Sequence, residues 1–161
     1  MRSLCRLTSA DEPLIRRFWI EHWGSSLVVS RGKIYTPEGL DGFSAVEQEA
    51  WIGLVTFSIA ASECEIVSLD SLREAEGTGT ALIEAVTGVA RQAGCARVFL
   101  ITTNDNMRAL RFYQKRGFEL VAVYRNEMDV VRRHKPEVPL IGLDGIPLRD
   151  EIELELPLKM S

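Results

Sequence analysis

The run from residue 63 to residue 103 limits the fold more than any other part of this chain. It reads ECEIVSLD over 63–70, a short connection, GTGTALIEAVTGVARQAG over 77–94, and ARVFLITT over 96–103. The first piece has the length and composition of a strand. In the second, Leu82, Ala85, Val86, Val89 and Ala90 fall on one helical face, and Gly94 supplies a stop. The third is an apolar strand that starts directly after the helix. A strand, a helix and a second strand in this order make a crossover unit, and the two strands then lie parallel in one sheet.

The flanking segments fit around that unit. Residues 3–8 alternate like a strand. Residues 9–23 predict a helix, with Ser9 or Asp11 as cap, Pro13 in the first turn, and Leu14, Ile15, Phe18 and Trp19 on one face. Residues 24–42 are loop-rich, with a short extended piece at 26–30. Residues 43–60 read as two strands around the polar turn Glu47–Glu49. A helix over 104–117, a strand over 118–124, a helical turn or two over 126–135, a Pro/Gly loop over 136–150 and a strictly alternating strand over 151–158 complete the order. The fold class is α/β or α+β: a mixed sheet with helices on its faces.

Bulk properties exclude several classes. The 161 residues suit a single domain spanning 1–161. A net charge of -4 gives no electrostatic invitation to nucleic acid. No apolar stretch reaches the roughly 20 residues of a membrane span, and the N-terminus lacks signal-peptide character. Cys5, Cys64 and Cys95 share no close spacing, which reads as free thiols in a reducing cytoplasm. His22 and His134 lie far apart with no Cys/His cluster, so no metal site is expected.

Two short constellations carry chemistry. EAEGTGTALI (74–83) sets Gly77 and Gly79 at the start of the crossover helix. One reading is a tight turn using glycine for positive φ. The other is a site for a phosphate or pyrophosphate. The first amides of the helix, over Glu76, Gly77, Thr78, Gly79 and Thr80, have no internal partners and meet the positive end of the dipole. The string is neither a Walker loop nor a complete dinucleotide fingerprint, since Leu82 occupies the third glycine position. In NMRALRFYQKRGF (106–118), Asn106, Ala109 and Tyr113 share a helical face. That helix follows the second parallel strand, so both helix starts open onto the carboxyl end of the strand pair, where ligands sit in such units. Taken singly, Asn106 reads as a helix cap and Tyr113 as a core residue.

Together these segments resemble the GNAT superfamily of acetyl-CoA-dependent N-acetyltransferases. The family's phosphate loop has the form Q/R-x-x-G-x-G/A. Here it falls on Glu74 to Gly79, matching at Gly77 and Gly79 and departing at Glu74. The later motif N-x-x-A-x-x-x-Y-x-x-x-G-F is matched by Asn106, Ala109, Tyr113, Gly117 and Phe118. The resemblance implies a mostly antiparallel central sheet, helices on both faces, and a parallel pair, 63–70 and 97–103, that splays after a bulge. It implies that acetyl-CoA places its pantetheine arm in that gap against backbone near Val67 and Leu69 and beside Asn106, and its pyrophosphate on Glu76 to Thr80.

The implied reaction is direct attack of a primary amine on the thioester in a ternary complex. Tyr113 is then the expected general acid, because a phenol with an ordinary pKa of about 10 holds its proton at neutral pH. An alkylamine titrates near about 10.4, so a base is needed. By period-two alternation Glu63 and Glu65 share a face with Val67 and Leu69, and either carboxylate is a candidate base. Ser68 and Asp70 point to the opposite face on that count. A solvated glutamate pair is the competing reading of Glu63 and Glu65. The acceptor is a small-molecule or peptide amine. A homodimer is compatible with the alternating final strand, read as an edge. The alternative function is a non-catalytic acyl-CoA-binding or sensing module.

Overall fold

The computed structural model describes residues 1–73 and 76–159. In chain order the elements are β1 (Ser3–Arg6), α1 (Glu12–Trp23), β2 (Val28–Ser30), β3 (Lys33–Tyr35), β4 (Asp41–Glu47), β5 (Ala50–Ala60), β6 (Glu63–Ser71), α2 (Thr78–Gln92), β7 (Arg97–Thr103), α3 (Met107–Lys115), β8 (Glu119–Tyr124), α4 (Met128–His134) and β9 (Glu151–Pro157). The β4–β5 and β5–β6 connections are tight turns. Gln48, Glu49, Ala61 and Ser62 all have positive φ there, the twist that suits two-residue hairpin loops.

Seven strands form one sheet in the order β1-β4-β5-β6-β7-β9-β8. Neighbours are antiparallel except β6 and β7, which run parallel as the crossover requires. β2 and β3 pair as a separate hairpin. Residues 33–35 read as loop from the sequence, because Gly32 and Pro37 bracket a piece only three residues long.

Adjacent residues of β5 point to opposite faces and divide the core. Val55 and Phe57 pack under α2 with Leu82, Ile83, Val86 and Ala90, and this cluster extends to Tyr113 and Phe118. Leu54 packs on the other face, under Ile15, Phe18 and Trp19 of α1. Trp19 is fully buried, as its place on the apolar stripe of α1 requires. Beyond it on the same face, α4 meets the hairpin through Met128, Val131 and Val29.

Two expectations are corrected by the pairing. The final strand β9 is not an edge; it lies between β7 and β8, with Ile152, Leu154 and Leu156 toward the main core and Glu151 and Glu153 buried on the opposite face. The edge is β8. It carries exposed Leu120, Val121 and Val123, and Val121 stands outside the register as a bulge. The second correction concerns β6. Phe57 pairs with Ile66 and Thr56 with Ser68, so Val67 is an extra residue with no partner in β5. Alternation reverses there. Glu65 shares its face with Ser68 and Asp70, opposite Ser58, Thr56 and Leu54, whereas Leu69 falls on the α2 face opposite Val55.

At the foot of β6 and β7 a charge cluster ties three strands. Arg97 donates from Nε to Glu63 (2.5 Å) and from Nη1 to Glu153 (2.7 Å) and Glu155 (3.1 Å). Glu153 is buried and also accepts from the Tyr124 hydroxyl at 2.7 Å. An Arg97→Met variant would leave that carboxylate without its cation. Urea denaturation should show a loss of about 3 kcal/mol, with part of it recovered in Arg97→Met/Glu153→Gln.

Candidate active site

β6 and β7 pair only over their first halves. The parallel register runs from Glu63 opposite Arg97 to Ile66 opposite Leu100 and stops there. Beyond that point Ser68–Ser71 stay paired with β5, while Ile101–Thr103 stay paired with β9. The sheet therefore opens into two halves just where Val67 interrupts β6. Backbone groups that a continuous sheet would satisfy face each other across a V-shaped gap at the carboxyl end of the parallel pair.

The start of α2 closes one end of that gap. Gly77 precedes the helix at φ 77°, and Ala81 makes the first intrahelical bond, to the Gly77 carbonyl. The amides of Thr78, Gly79 and Thr80 find no acceptor among the described residues. Gly77 thus meets the turn reading through its positive φ and leaves the helix start open to an anion. Gly79 has a separate reason to be glycine: a Cβ there would lie 2.9 Å from the ring of Phe112. Its bareness lets α3 approach α2. Glu74, the departing position of the loop motif, lies outside the described residues.

Two guanidinium groups bracket this helix start, and neither stands out in the motif. Arg2 donates from Nη1 to the Glu76 carbonyl (3.0 Å) and to the Thr78 hydroxyl (3.3 Å). Arg116 donates to the Thr80 hydroxyl (2.8 Å) and the Phe112 carbonyl (2.8 Å), and its guanidinium lies 3.6 Å from the centre of the Phe112 ring. Arg116 shares with three other basic residues a run that reads as helix-surface charge. Arg2 has no periodic or motif signal at all; only the β1–β4 pairing carries it to the loop.

α3 supplies the wall opposite. Asn106 is its N-cap and accepts from the Ala109 amide through Oδ1 at 3.1 Å. Tyr113 is buried between Phe112 and Phe118, with ring centres 5.2 Å away in both cases. Burial, and then the charge of Asp70, push its hydroxyl well above the usual phenol value, and Arg116 opposes them. The hydroxyl is fully protonated at neutral pH.

The corner before α3 is bolted to the 136–150 loop. Asn104 Oδ1 accepts from the amides of Arg149 (3.0 Å) and Asp150 (2.9 Å). Asp105 accepts from the Leu143 amide at 2.9 Å, and Gly142 passes so close that a Cβ would lie 2.1 Å from the Asp105 carboxylate.

The candidate bases separate sharply. Glu63 sits at the foot of β6, in the Arg97 cluster and away from the gap. Glu65 is buried on the α1 face, and both of its oxygens are taken: Ser30 donates to Oε2 at 2.6 Å and Tyr35 to Oε1 at 2.7 Å. Ser30 ends the short extended piece expected at 26–30, and Tyr35 lies in the part of 24–42 that reads as loop. Thr56 and Ser68 bond each other at 2.6 Å. Asp70 is different. Trp23 donates its indole N–H to Oδ1 at 2.9 Å, while Oδ2 is buried without any partner among the described residues. Desolvation lifts this carboxyl from 3.8 to about 6, against the Trp23 hydrogen bond and the charge of His22. Among the described residues, no group of three or more His, Cys, Asp or Glu could hold a metal ion, and no helix is long and apolar enough to cross a membrane.

Comparison with known proteins agrees with this geometry. The profile of the Acetyltransferase (GNAT) family matches residues 9–118. The chain belongs to this family. It is an acetyltransferase. The chain is 44% identical over 140 residues to the uncharacterized protein YdhI of Bacillus subtilis, covering 86% of this chain and 88% of that one. The same fold occurs in an IAA acetyltransferase from Bacillus cereus (TM-score 0.71, 18% identity, 98% of this chain and 100% of that one). It occurs too in a Bacillus subtilis acetyltransferase solved in complex with CoA (TM-score 0.69, 18% identity, 98% of each). In this chain the α2 amides that lack an acceptor among the described residues, and the unpaired strand halves, present donors of the kind a pyrophosphate and an amide-bearing arm would take.

Holding Asp70 ionised in its buried place costs the native state roughly 3 kcal/mol, from the rise to about 6. Its folded pKa is raised, so the cost is absent below the ordinary value of 3.8, grows as pH rises, and is complete above about 6. Asp70→Asn should therefore stabilise the protein at pH 8 and leave it unchanged near pH 3.5, measured by denaturant midpoint at each pH.

Proposed function

We propose that this enzyme transfers an acetyl group to a primary amine by direct attack within a ternary complex, with the whole chain working as one domain. The observation that carries this reading is the break in β6–β7 pairing after Ile66 and Leu100, with Tyr113 beyond it and, at its end, helix amides that have no acceptor among the described residues. Acetyl-CoA supplies a thioester whose carbonyl carbon accepts the amine.

The residues divide the remaining work. Thr78, Gly79 and Thr80 offer backbone N–H groups to the pyrophosphate, and Gly77 keeps the approach free of a side chain. Backbone of Val67 and Leu69 lines the gap for the pantetheine arm and aims a donor at the carbonyl oxygen. Asn106 spends Oδ1 on its own helix and keeps its amide N–H₂ for the arm. Tyr113 gives its proton to the departing sulfur, a role favoured by a hydroxyl held protonated. Glu65 fixes the β2–β3 hairpin against the sheet through two hydroxyls, and in doing so shapes the wall on the acceptor side.

Tyr113→Phe should lower kcat by a factor on the order of 10² while leaving CoA affinity unchanged. Thiol release over a panel of primary amines, alongside calorimetric CoA binding, checks both halves. CoA binding with no thiol release from any amine, and no effect of Tyr113→Phe, would instead establish a cofactor-binding module.

A further inference from the structure

We propose that Asp70 is the group that receives the acceptor's ammonium and takes its proton. This rests on the acetyl-transfer reading above and adds to it the residue that activates the nucleophile.

The argument is geometric. A buried carboxylate oxygen normally has a hydrogen-bond partner, and Asp70 Oδ2 has none among the described residues. The carboxylate is not loose. Trp23 holds Oδ1 from α1, and Trp23 itself stacks on Trp19 with ring centres 5.4 Å apart. One oxygen is anchored and the other is left for a donor that arrives from outside the chain. Asp70 belongs to the part of β6 that has parted from β7, and its charge acts on Tyr113. A carboxylate on β6 and a phenol on α3 thus stand on the two sides of one gap.

The other acids on this face of β6 are already occupied. Glu65 has a hydroxyl on each oxygen, and Glu63 is held by Arg97. The titratable group that acts on Asp70 is His22 on α1, which favours its anion, as the Trp23 indole also does; Asp70 in turn acts on Tyr113 of α3. Its pKa of about 6 leaves it ionised at neutral pH and able to accept a proton.

The step balances as follows. Asp70 Oδ2 accepts one proton from the ammonium as the nitrogen lone pair closes on the thioester carbon. The C–N bond forms and the C–S bond breaks. Tyr113 gives its proton to the sulfur and recovers one from the new amide nitrogen. Asp70 then loses its proton to solvent, so one proton is released per turnover. Asp70 is a weaker base than the free amine, so it draws the proton only while the lone pair is being consumed by bond formation.

The test uses the full chain, acetyl-CoA and named amines: spermidine, tyramine and an alanine-terminated peptide. For the wild type, kcat/KM should rise with pH through about 6, with the same midpoint in the tryptophan fluorescence of the ligand-free protein. In Asp70→Asn the fluorescence transition and the rising limb should both vanish. Turnover should fall on the order of 10²-fold or more, and CoA affinity should stay unchanged. His22→Gln should keep the limb and move it to higher pH, because a cation that favours the anion is gone. Hydroxylamine, whose nitrogen is already neutral at pH 7, should lose far less rate in Asp70→Asn than the amines do. An Asp70→Asn enzyme that keeps its rate and limb, or a limb abolished by His22→Gln instead, overturns the assignment while acetyl transfer stands. Absence of thiol release from the wild type with every nucleophile overturns the acetyl-transfer reading itself.

Discussion

Val67 has no partner in β5, and the consequences of that one unpaired residue reach every part of the site. Up to Ile66, β6 is bonded on both edges, to β5 and to β7. A bulge sharpens the local twist of its strand. After it, β6 follows β5 and β7 follows β9, and the parallel ladder cannot continue. The opening lies at the carboxyl ends of two strands whose following helices both begin there. Backbone amides of α2 and side chains of α3 are brought to one place without any long loop having to hold them.

The same residue decides which side chains the opening receives. With strict alternation, Glu63 and Glu65 would face the same way as Val67 and Leu69. With the bulge, Ser68 and Asp70 join the Glu65 face under α1, and Leu69 joins the core under α2. A one-residue slip moves every later side chain to the other face. Nothing in ECEIVSLD marks the slip, because valine is an ordinary strand residue on either side of it.

This explains which parts of the molecule were legible in the sequence. The crossover unit, the helix faces and the hairpin turns follow from local periodicity and punctuation, and the element order matches closely. The family motifs found the helix starts because their glycines, Asn106 and Tyr113 act through local geometry. What the sequence withheld is non-local. The place of β9 between β7 and β8 depends on which edge it adds to, and a period-two pattern is silent on that. Arg2, Ser30 and Tyr35 reach the site only through pairing with distant strands. The Arg97 cluster likewise joins three strands that are remote in sequence.

The distribution of partners among the acids follows from the same split. Where β6 is still joined to β7, the sheet is closed and its acids are used for structure: Glu63 against Arg97 and Glu65 against the hairpin hydroxyls. Where the strands have parted, closing the carboxylate of Asp70 with a second protein donor would fill the space that a substrate must enter. A folded chain tolerates one unpartnered buried oxygen only if the cost is small beside its total stability, and about 3 kcal/mol against a typical 5–15 kcal/mol meets that condition. The indole of Trp23 lowers the cost by fixing one oxygen and leaves the other free. Stability surrendered at Asp70 and order enforced at Glu65 are thus two results of one strand being paired for half its length and open for the rest.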